Sequence, residues 1–350
     1  MTRESWGFVL GRFQLPHTAH FDLIHTALAN HDKVIVGIGS ANLRRSLRNP
    51  FTYEQRMVLI QKGSKIVQDA IVSRRLYFVP IEDSPYSDQW WIEHVQRQVQ
   101  SKIWEKATDS NEGKPDVTLI GHRKDETSYY LDMFPQWGFQ GIEAKNLISS
   151  TLCREMYYEY GLDDNTFRNR LGDYTTKGVT DTLKYIPVQA YNELKARWEF
   201  VKEYKKQWGE GPHYTADPVV IKSGHVLLIK RGAEPDVGAW AFPGGFLEKT
   251  EDRNTTGAAT AAFRECREET GLVLPRFDWK HDAYYNKPFR DDRGDIRTWA
   301  FLIDLGFGEL PKVKGSDDAA HAEWVPIADL RADNMFADHY FIMRDLIRRV

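Results

Sequence analysis

The chain has 350 residues, a formal net charge of −3 and two cysteines. This length is long for one domain and comfortable for two, and the slightly acidic balance excludes nucleic acid as an expected partner. No apolar run reaches about 18 residues, which excludes a membrane span, and the first residues lack the apolar core of a signal peptide. Two isolated cysteines exclude a disulfide framework and favour a reducing, cytoplasmic location.

The first half alternates short apolar runs with amphipathic helical patterns. Strands are predicted at residues 6–10, 33–39, 76–80, 117–121 and 141–144. Strands that are connected through helices run parallel, so this alternation predicts an α/β domain whose parallel sheet is covered on both faces.

A phosphate-binding loop is predicted directly after the first strand. The strand is followed by Gly11, Arg12, Phe13 and Gln14, and His17 and His20 then open a helical pattern. In this strand–loop–helix arrangement, the free N–H groups of the helix N-terminus face an anion. Two histidines three residues apart at that turn are both placed to donate to phosphate oxygens.

The segment resembles the H-x-G-H motif of the nucleotidyltransferase superfamily, with Ala19 where glycine is usual. The GRFQ lead-in matches NMN adenylyltransferases of the archaeal type. Further matches are GIGSA at 37–41, RNPFT at 48–52, EQR at 54–56 and ISSTLCR at 148–154. The order of these motifs implies a Rossmann-like nucleotidyltransferase domain in the first half.

The resemblance implies that the 5′-phosphate of NMN attacks the α-phosphate of ATP, which gives NAD and pyrophosphate. Such transfers depend on positioning and charge stabilisation, and arginine offers a fixed fork that suits phosphate oxygens. By resemblance, His17 and His20 contact the ATP phosphates, and the triphosphate is neutralised by Arg12, Arg48 and Arg154. Nicotinate mononucleotide stays open as an alternative acceptor.

Further residues are expected to line the nucleotide pocket. Ser149 or Ser150 would cap a helix whose first turn, with Thr151, binds phosphate. Trp91 matches a family tryptophan that stacks on the nicotinamide ring, and the alternative is a tryptophan of the core or of an interface. The segment after the fourth strand is interpreted as part of the same pocket, through Gly121, Lys124 and Asp125.

A charged helical pattern separates the two halves. Residues 188–207 read VQAYNELKARWEFVKEYKKQ, and the glycines and proline at 209–212 end the pattern. We therefore expect a transferase domain at 1–185, a helical connector at 186–212 and a second domain at 213–350.

Short strands are also predicted in the second half. Residues 219–222 and 225–230 predict a hairpin, and 299–303 predict another strand.

The second half contains an unusual cluster of acids. If the later segment RECREETG is helical, Glu265, Glu268 and Glu269 share one face, because residues three and four apart are neighbours. Three carboxylates on one face repel each other unless a cation lies among them, and Mg²⁺ takes oxygen ligands together with phosphate.

This cluster resembles the Nudix hydrolase signature G-x5-E-x7-R-E-U-x-E-E-x-G-U, where U is bulky and apolar. Gly244 and Gly245 belong to the turn, Glu251 matches the first glutamate, and 264–272 match the rest, with Cys266 at the first U position. The resemblance implies an α/β/α sandwich with a mixed sheet, and a divalent cation bound by Glu265, Glu268 and Glu269. That cation is expected to be Mg²⁺, with Mn²⁺ as the alternative.

The signature is interrupted by a longer loop. Twelve residues, 252–263, stand where the family has seven. Thr255 or Thr256 is predicted to cap the helix that follows. The longer spacing leaves open whether Glu251 reaches Arg264.

Two segments resemble those of Nudix enzymes that act on ADP-ribose. The first, at 284–294, contains RDDRG, and the resemblance points to substrate contacts by Arg290 and Arg293, with Asp291 and Gly294 beside them. A solvated turn is the alternative interpretation of RDDRG. The second segment, at 315–326, offers three acids that stay open as a loop acid, a water-activating group or a pocket wall: Asp317, Asp318 and Glu323.

The sequence therefore predicts a bifunctional enzyme of NAD metabolism. Its expected small molecules are ATP, NMN, NAD and ADP-ribose, with water attacking a phosphorus of ADP-ribose to give AMP and ribose 5-phosphate. Two alternatives for the second half are a different substrate, such as NADH, FAD or a nucleotide sugar, and a sensor that binds ADP-ribose without cutting it. The oligomeric state stays open, a homo-oligomer being one option.

Overall fold

The computed structural model describes residues 4–106, 116–122, 126–143, 149–161, 165–275, 278–315 and 319–349. The chain divides into two compact units, Met1–Lys195 and Ala196–Val350. No helix in the described ranges is long and apolar enough to cross a membrane. Each unit is described separately below.

The first unit is built on a five-stranded parallel sheet, which confirms the predicted fold class. Its strands follow the order β3-β2-β1-β4-β5, and they are β1 Ser5–Gly11, β2 Lys33–Ile38, β3 Leu76–Pro80, β4 Asp116–Gly121 and β5 Gly138–Gly141. The strand order reverses between β1 and β4, and sheets of this kind bind ligands at the carboxyl ends of the strands beside that reversal.

One predicted strand is misplaced. Residues 141–144 were expected to be extended, whereas β5 ends at Gly141 and pairs Gly138 to Gly141 with residues 118–121 of β4. This strand lies at the sheet edge and is largely exposed, so its sequence GFQG carries little of the apolar pattern that identifies a strand.

Helices cover the sheet and connect its strands. They are α1 Thr18–Asn30, α2 Tyr53–Gly63, α3 Lys65–Val72, α4 Asp88–Lys106, α5 Ser150–Tyr160, α6 Asn165–Gly172, α7 Lys177–Leu183 and α8 Val188–Trp208, with a 3₁₀ helix at Glu126–Asp132. A continuous apolar core joins α4 to the sheet through Trp6, Phe8, Ile35, Val79, Val95, Val99, Ile103 and Leu119. Burial of these side chains is the main force that holds the layers together.

Helix α8 matches the predicted connector pattern to within one residue. The boundary between the two compact units falls inside it, between residues 195 and 196. The second unit includes about the last two-thirds of this helix. The domain bounds 1–185, 186–212 and 213–350 stay predictions.

The second unit contains a seven-stranded sheet. Its strands are β6 His213–Lys222, β7 His225–Arg231, β8 Trp240–Ala241, β9 Gly245–Phe246, β10 His281–Tyr285, β11 Ile296–Asp304 and β12 Ala319–Pro326. The main order is β10-β11-β6-β7-β12, with β8 paired to β7 and β9 to β6. Only the β11–β6 pair is parallel among these, so the sheet is mixed as predicted. The predicted hairpin is the β6–β7 turn, where Ser223 and Gly224 both have positive φ.

Helices pack on both faces of this sheet. Helix α9, Thr255–Thr270, buries a row of alanines against Val220, Leu227 and Phe301. Helix α10, His339–Ile347, contacts the other face, where the hydroxyl of Tyr285 donates to Asp345 at 2.7 Å.

The cap of α9 differs from the prediction. Neither Thr255 nor Thr256 caps the helix. The side chain of Asn254 does so by accepting a hydrogen bond from the N–H of Gly257 at 2.9 Å. Asparagine is at least as good an N-cap as threonine. The helix therefore begins at Thr255, one residue earlier than a cap at Thr255 would allow. Helix α9 ends at Thr270 and is followed by Gly271, whose φ of 72° lies in the left-handed region that glycine adopts without strain.

Two glycines bring α2 and α7 into backbone contact in the first unit. A Cβ at Gly178 would lie 1.9 Å from the carbonyl oxygen of Lys62, and a Cβ at Gly63 would lie 2.9 Å from the side chain of Val179 on α7 and 2.2 Å from the ring of Phe21 on α1. A side chain at Gly178 would therefore force α2 and α7 apart, and one at Gly63 would also press on α1.

We expect Gly178→Ala to destabilise the first unit by about 1–3 kcal/mol, the usual range for overpacking a tight contact. Gly172→Ala is the matched control, because a Cβ there meets no atom within 4 Å. Thermal unfolding followed by circular dichroism would measure both. Equal unfolding midpoints for the two variants would contradict the close packing of α2 and α7.

Candidate active sites

The first candidate site lies at the carboxyl end of β1, beside the reversal of strand order. The carbonyl oxygen of Gly11 accepts a hydrogen bond from Gly39 N–H at 2.9 Å, which joins the ends of β1 and β2. His122, just after β4, lies within 3.3 Å of the carbonyl oxygen of Ala19 through Nε2. Three strand ends and the start of α1 thus meet at one edge of the sheet.

The two histidines of the predicted motif are brought together here. The backbone N–H of His17 donates to Nδ1 of His20 at 3.2 Å, and the two ring centroids are 3.8 Å apart. Because Nδ1 of His20 accepts this bond, a neutral His20 ring carries its proton on Nε2, where it is a donor. The pair forms the N-terminal turn of α1, as expected for an anion site.

Three arginines concentrate positive charge around the loop that follows β1. Burial, followed by the positive charges of Arg48 and Arg154, lowers the pKa of the Arg12 guanidinium to about 9. Arg154 donates to the carbonyl oxygen of Gln14 at 2.6 Å, which ties α5 to the loop after β1. Like charges this close destabilise one another, and a bound polyanion would relieve that repulsion.

The start of α5 is organised as predicted. Ser149 accepts a hydrogen bond from the N–H of Leu152 at 3.3 Å and is the cap, so Ser150 is the first helical residue. Thr151 accepts from Arg154 at 3.1 Å. The first turn of α5 therefore faces the same loop as the histidine pair.

Gln14 has a structural role in this conformation. Its amide nitrogen donates to the carbonyl oxygen of Phe51 at 2.9 Å, and its amide oxygen accepts from Phe51 N–H at 3.0 Å. The side chain is buried. Gln14 thus clamps the loop after β1 to the segment before α2.

Arg56 contributes an interaction for which the sequence motif gave no role. The residue is 1% exposed, and its guanidinium donates to the carbonyl oxygens of Arg12, at 2.7 Å, of Gly39, and of Ser40, at 3.2 Å. Phe13 and Ser40 both have a φ of 52°, a region that side chains other than glycine rarely adopt. Arg56 therefore holds two strained strand ends in place.

The remaining predicted residues of this site fall in different places. Trp91 is half-buried and packs on the sheet–α4 core, with its ring 5.9 Å from that of Phe134; stacking on nicotinamide stays a prediction. Gly121 ends β4, where a Cβ would lie 2.6 Å from the side chain of Leu131. Lys124 and Asp125 lie outside the described residues.

The second candidate site lies between α9 and the glycine turn. The N–H of Gly244 donates to Oε2 of Glu269 at 2.9 Å. A Cβ at Gly245 would lie 2.3 Å from Oε1 of Glu265. A Cβ at Gly244 would lie 2.7 Å from the carbonyl oxygen of Ala216. Glycine at these two positions thus lets the backbone of the turn approach β6 and the carboxylate of Glu265.

Arg264 lies among the acids of the signature. Its guanidinium is 2.9 Å from Glu265, 3.1 Å from Glu268 and 3.3 Å from Glu251. The longer loop thus keeps Glu251 in contact with Arg264, which answers the question that the spacing left open.

The carboxylates of Glu265, Glu268 and Glu269 do not converge on one point in this structure. Within the described ranges, no group of three or more histidine, cysteine, aspartate or glutamate side chains is arranged to hold a metal ion. Glu268 is directed to Arg264, and Glu269 is directed to Gly244. The ligand roles of the three glutamates therefore stay predictions.

The chemistry of the donor set nevertheless fits a hard divalent cation. Burial raises the pKa of Glu269 to about 8, the hydrogen bond from Gly244 opposes the rise, and the negative charges of Glu265 and Asp217 add to it. Burial also raises the pKa of Glu265. Ionised carboxylates in this position are unfavourable without a positive charge, and Mg²⁺ and Mn²⁺ both take carboxylate oxygens.

Asp217 was not predicted as a site residue. It is buried in β6, accepts a hydrogen bond from the hydroxyl of Thr298, and lies so close to the turn that a Cβ at Gly244 would be 2.4 Å from its Oδ1. Burial raises its pKa to about 6. The one available signal was an acid directly before the apolar run of a buried strand.

The charged side chains of the RDDRG segment are largely buried, so its interpretation as a solvated turn is wrong. Arg290 forms two hydrogen bonds to Asp338, at 2.7 and 2.9 Å, and Arg293 pairs with Asp291 at 2.7 Å. The two arginine side chains are 5% and 12% exposed. Contact of Arg290 or Arg293 with a substrate stays a prediction.

The acids of the second segment are less informative. Glu323 is exposed on β12 and lies 3.0 Å from His321. Asp317 and Asp318 lie outside the described residues.

Comparison with known proteins separates the same two halves. The family model for Cytidylyltransferase-like proteins matches residues 8–156, and the model for the NUDIX domain matches residues 211–349. A nicotinamide/nicotinic acid mononucleotide adenylyltransferase of Acinetobacter baylyi is 39% identical over 45% of this chain and 78% of its own length. An ADP-ribose pyrophosphatase of Methanocaldococcus jannaschii is 36% identical over 39% of this chain and 74% of its own length.

The similarity to solved structures also extends over both halves together. A bifunctional NMN adenylyltransferase/ADP ribose pyrophosphatase from Francisella tularensis, complexed with AMP and a Mn ion, has 28% sequence identity and a TM-score of 0.78. The similarity covers 99% of each chain. The chain therefore belongs to the mononucleotide adenylyltransferases through its first half and to the Nudix hydrolases through its second.

Proposed function

We propose that the protein is a bifunctional enzyme of NAD metabolism. Its first half adenylates NMN with ATP to give NAD and pyrophosphate, and its second half hydrolyses ADP-ribose to AMP and ribose 5-phosphate. The main support is the presence of both sites in one chain that matches the Francisella protein along 99% of its length. The histidine–arginine cluster and the glutamate cluster provide the two kinds of charge that these reactions need.

In the transferase, an oxygen of the NMN phosphate attacks the α-phosphorus of ATP, and the bond to the bridging oxygen of the leaving pyrophosphate breaks. Negative charge grows on the leaving group. His17 and His20 donate to its oxygens, and Arg12, Arg48 and Arg154 offset its charge. No side chain acts as a nucleophile, since positioning and charge stabilisation are sufficient for this class of transfer.

In the hydrolase, water attacks one phosphorus of ADP-ribose, the P–O–P bridge breaks, and a carboxylate of the site accepts the proton of the water. Glu265, Glu268 and Glu269 would hold the divalent cation, which we expect to be Mg²⁺, with Mn²⁺ as the alternative. When bound, that cation supplies positive charge against the phosphate oxygens. Arg264 and the glycine turn keep the three glutamates oriented.

The small-molecule partners we propose are ATP, NMN, NAD and ADP-ribose. We also propose a cytoplasmic location. Cys153 and Cys266 are both free and buried, which suits a reducing compartment.

Purified protein with NMN, ATP and Mg²⁺ is expected to form NAD and pyrophosphate, and with ADP-ribose to form AMP and ribose 5-phosphate. His20→Ala should lower NAD synthesis by about 10²–10³-fold, because it removes a donor to developing charge. Hydrolysis of ADP-ribose should be unchanged. His25→Ala, on the same helix but bonded to Ser64, is the control that retains both activities. Parallel loss of both activities in soluble His20→Ala protein would refute two independent sites.

Arg56→Lys is expected to reduce kcat/KM for ATP by roughly tenfold or more. A lysine cannot bond three carbonyl oxygens in the same geometry, and each lost hydrogen bond to a charged group is worth about 1.5–3 kcal/mol. The exposed Arg74 is the matched site for a control, Arg74→Lys. Steady-state kinetics of both variants at saturating NMN would measure the effect, and equal kcat/KM values would exclude a role for Arg56.

Glu265→Gln is expected to raise the Mg²⁺ concentration for half-maximal ADP-ribose hydrolysis about tenfold or more, since it removes a charged ligand. NAD synthesis in the same sample should not change. Titration of both activities with Mg²⁺ would test this, with the exposed Glu309→Gln as control. An unchanged Mg²⁺ requirement would remove Glu265 from the ligand set.

A further inference from the structure

The connector helix contributes a buried arginine to the hydrolase unit. Arg197 lies in the part of α8 that belongs to this unit, and its side chain is 11% exposed. Its guanidinium forms an ion pair with Asp236 through Nη2, and it lies 3.6 Å from Asp292 through Nη1. Both carboxylates are themselves largely buried, at 9% and 16% exposed.

The two carboxylates belong to two different loops. Asp236 lies between β7 and β8, has a φ of 67°, and accepts a hydrogen bond from Ala239 N–H at 3.0 Å. That loop leads through β8 to the glycine turn at 244–245. Asp292 lies at the centre of the RDDRG segment. Arg197 therefore joins the loop between β7 and β8 to the RDDRG segment.

A second residue of α8 contacts the same segment. The guanidinium of Arg293 lies 5.8 Å from the ring centroid of Tyr204, and it also lies near the rings of Phe246 and Phe336, at 5.5 and 5.7 Å. Arg197 and Tyr204 are seven residues apart, so they lie on one face of the helix. That face of α8 supports the RDDRG segment at two successive residues.

We propose that Arg197 is a positioning residue of the hydrolase, which holds the RDDRG segment in the geometry that contacts ADP-ribose. The resemblance assigns to that segment the terminal ribose or the phosphates of the substrate. This inference rests on the proposed hydrolase function. It also extends the working hydrolase to include α8 from residue 196, rather than starting at residue 213.

The physical basis is the balance of charge in a buried place. Removal of one partner from a buried ion pair leaves an uncompensated charge and is strongly unfavourable. Without Arg197, Asp236 and Asp292 would repel each other, and the two loops would separate. A lysine keeps the charge but has a single ammonium group, so it cannot bridge both carboxylates with the fixed fork of an arginine.

The test uses the full-length protein with Arg197→Lys and Asp292→Asn, and Lys206→Met as an exposed control on the same helix. Steady-state ADP-ribose hydrolysis at saturating Mg²⁺ gives KM and kcat separately. NAD synthesis in each sample measures the amount of intact protein. We expect KM for ADP-ribose to rise roughly tenfold in the first two variants, with kcat within about twofold of wild type and no change in the control.

Two results would overturn the inference. One is an unchanged KM in both variants. The other is a fall in kcat with KM intact, because a purely structural role reduces the fraction of active hydrolase without altering the affinity of what remains. Failure of the proposed function is distinguishable, since wild-type protein would then not cleave ADP-ribose at all.

Discussion

Repulsion between like charges is the constraint around which both sites are built. The first gathers arginines and histidines at the end of β1, and the second gathers glutamates between α9 and the glycine turn. In each site, hydrogen bonds and ion pairs with neighbouring groups keep these like-charged side chains together. Burial strengthens the repulsion, as the lowered pKa of Arg12 and the raised pKa of Glu269 indicate.

The two sites balance this repulsion by different means. At the first site, backbone carbonyl oxygens offset the positive charge: Arg56 and Arg154 donate hydrogen bonds to carbonyl oxygens of the segments that follow β1 and β2. At the second, Arg264 pairs with three glutamates of the signature and Gly244 donates to a fourth acid. The arginines of the first site therefore favour the binding of an anion, and the glutamates of the second site favour the binding of a cation. This difference in sign is what separates a nucleotide-binding transferase from a metal-dependent hydrolase.

Sequence was sufficient wherever a feature depends on local pattern. The strands β1 to β4, the β6–β7 hairpin and helix α8 all carry strong apolar or helical periodicity, and they lie where predicted. The edge strand β5 is mostly polar or small, and the cap of α9 has three adjacent residues that could serve, so neither was placed correctly.

Contacts between residues that are distant in the chain could not be predicted from the sequence pattern. The contacts of Arg56 with three carbonyl oxygens, of Arg290 with Asp338 and of Arg197 with two loops join segments far apart in the chain. No spacing rule reports such a contact. The side chains of RDDRG are buried because they form these ion pairs. Their partners lie far away in the chain, so the sequence of the segment alone predicts a solvent-exposed turn.

The two glycines at 244 and 245 also limit how the hydrolase half can diverge. A methyl group at Gly244 would press on the backbone of Ala216, and one at Gly245 would displace the carboxylate of Glu265. Substitutions in the surrounding loops disturb the acids of the site less than substitutions in the turn, so changes of substrate preference are expected to arise in those loops.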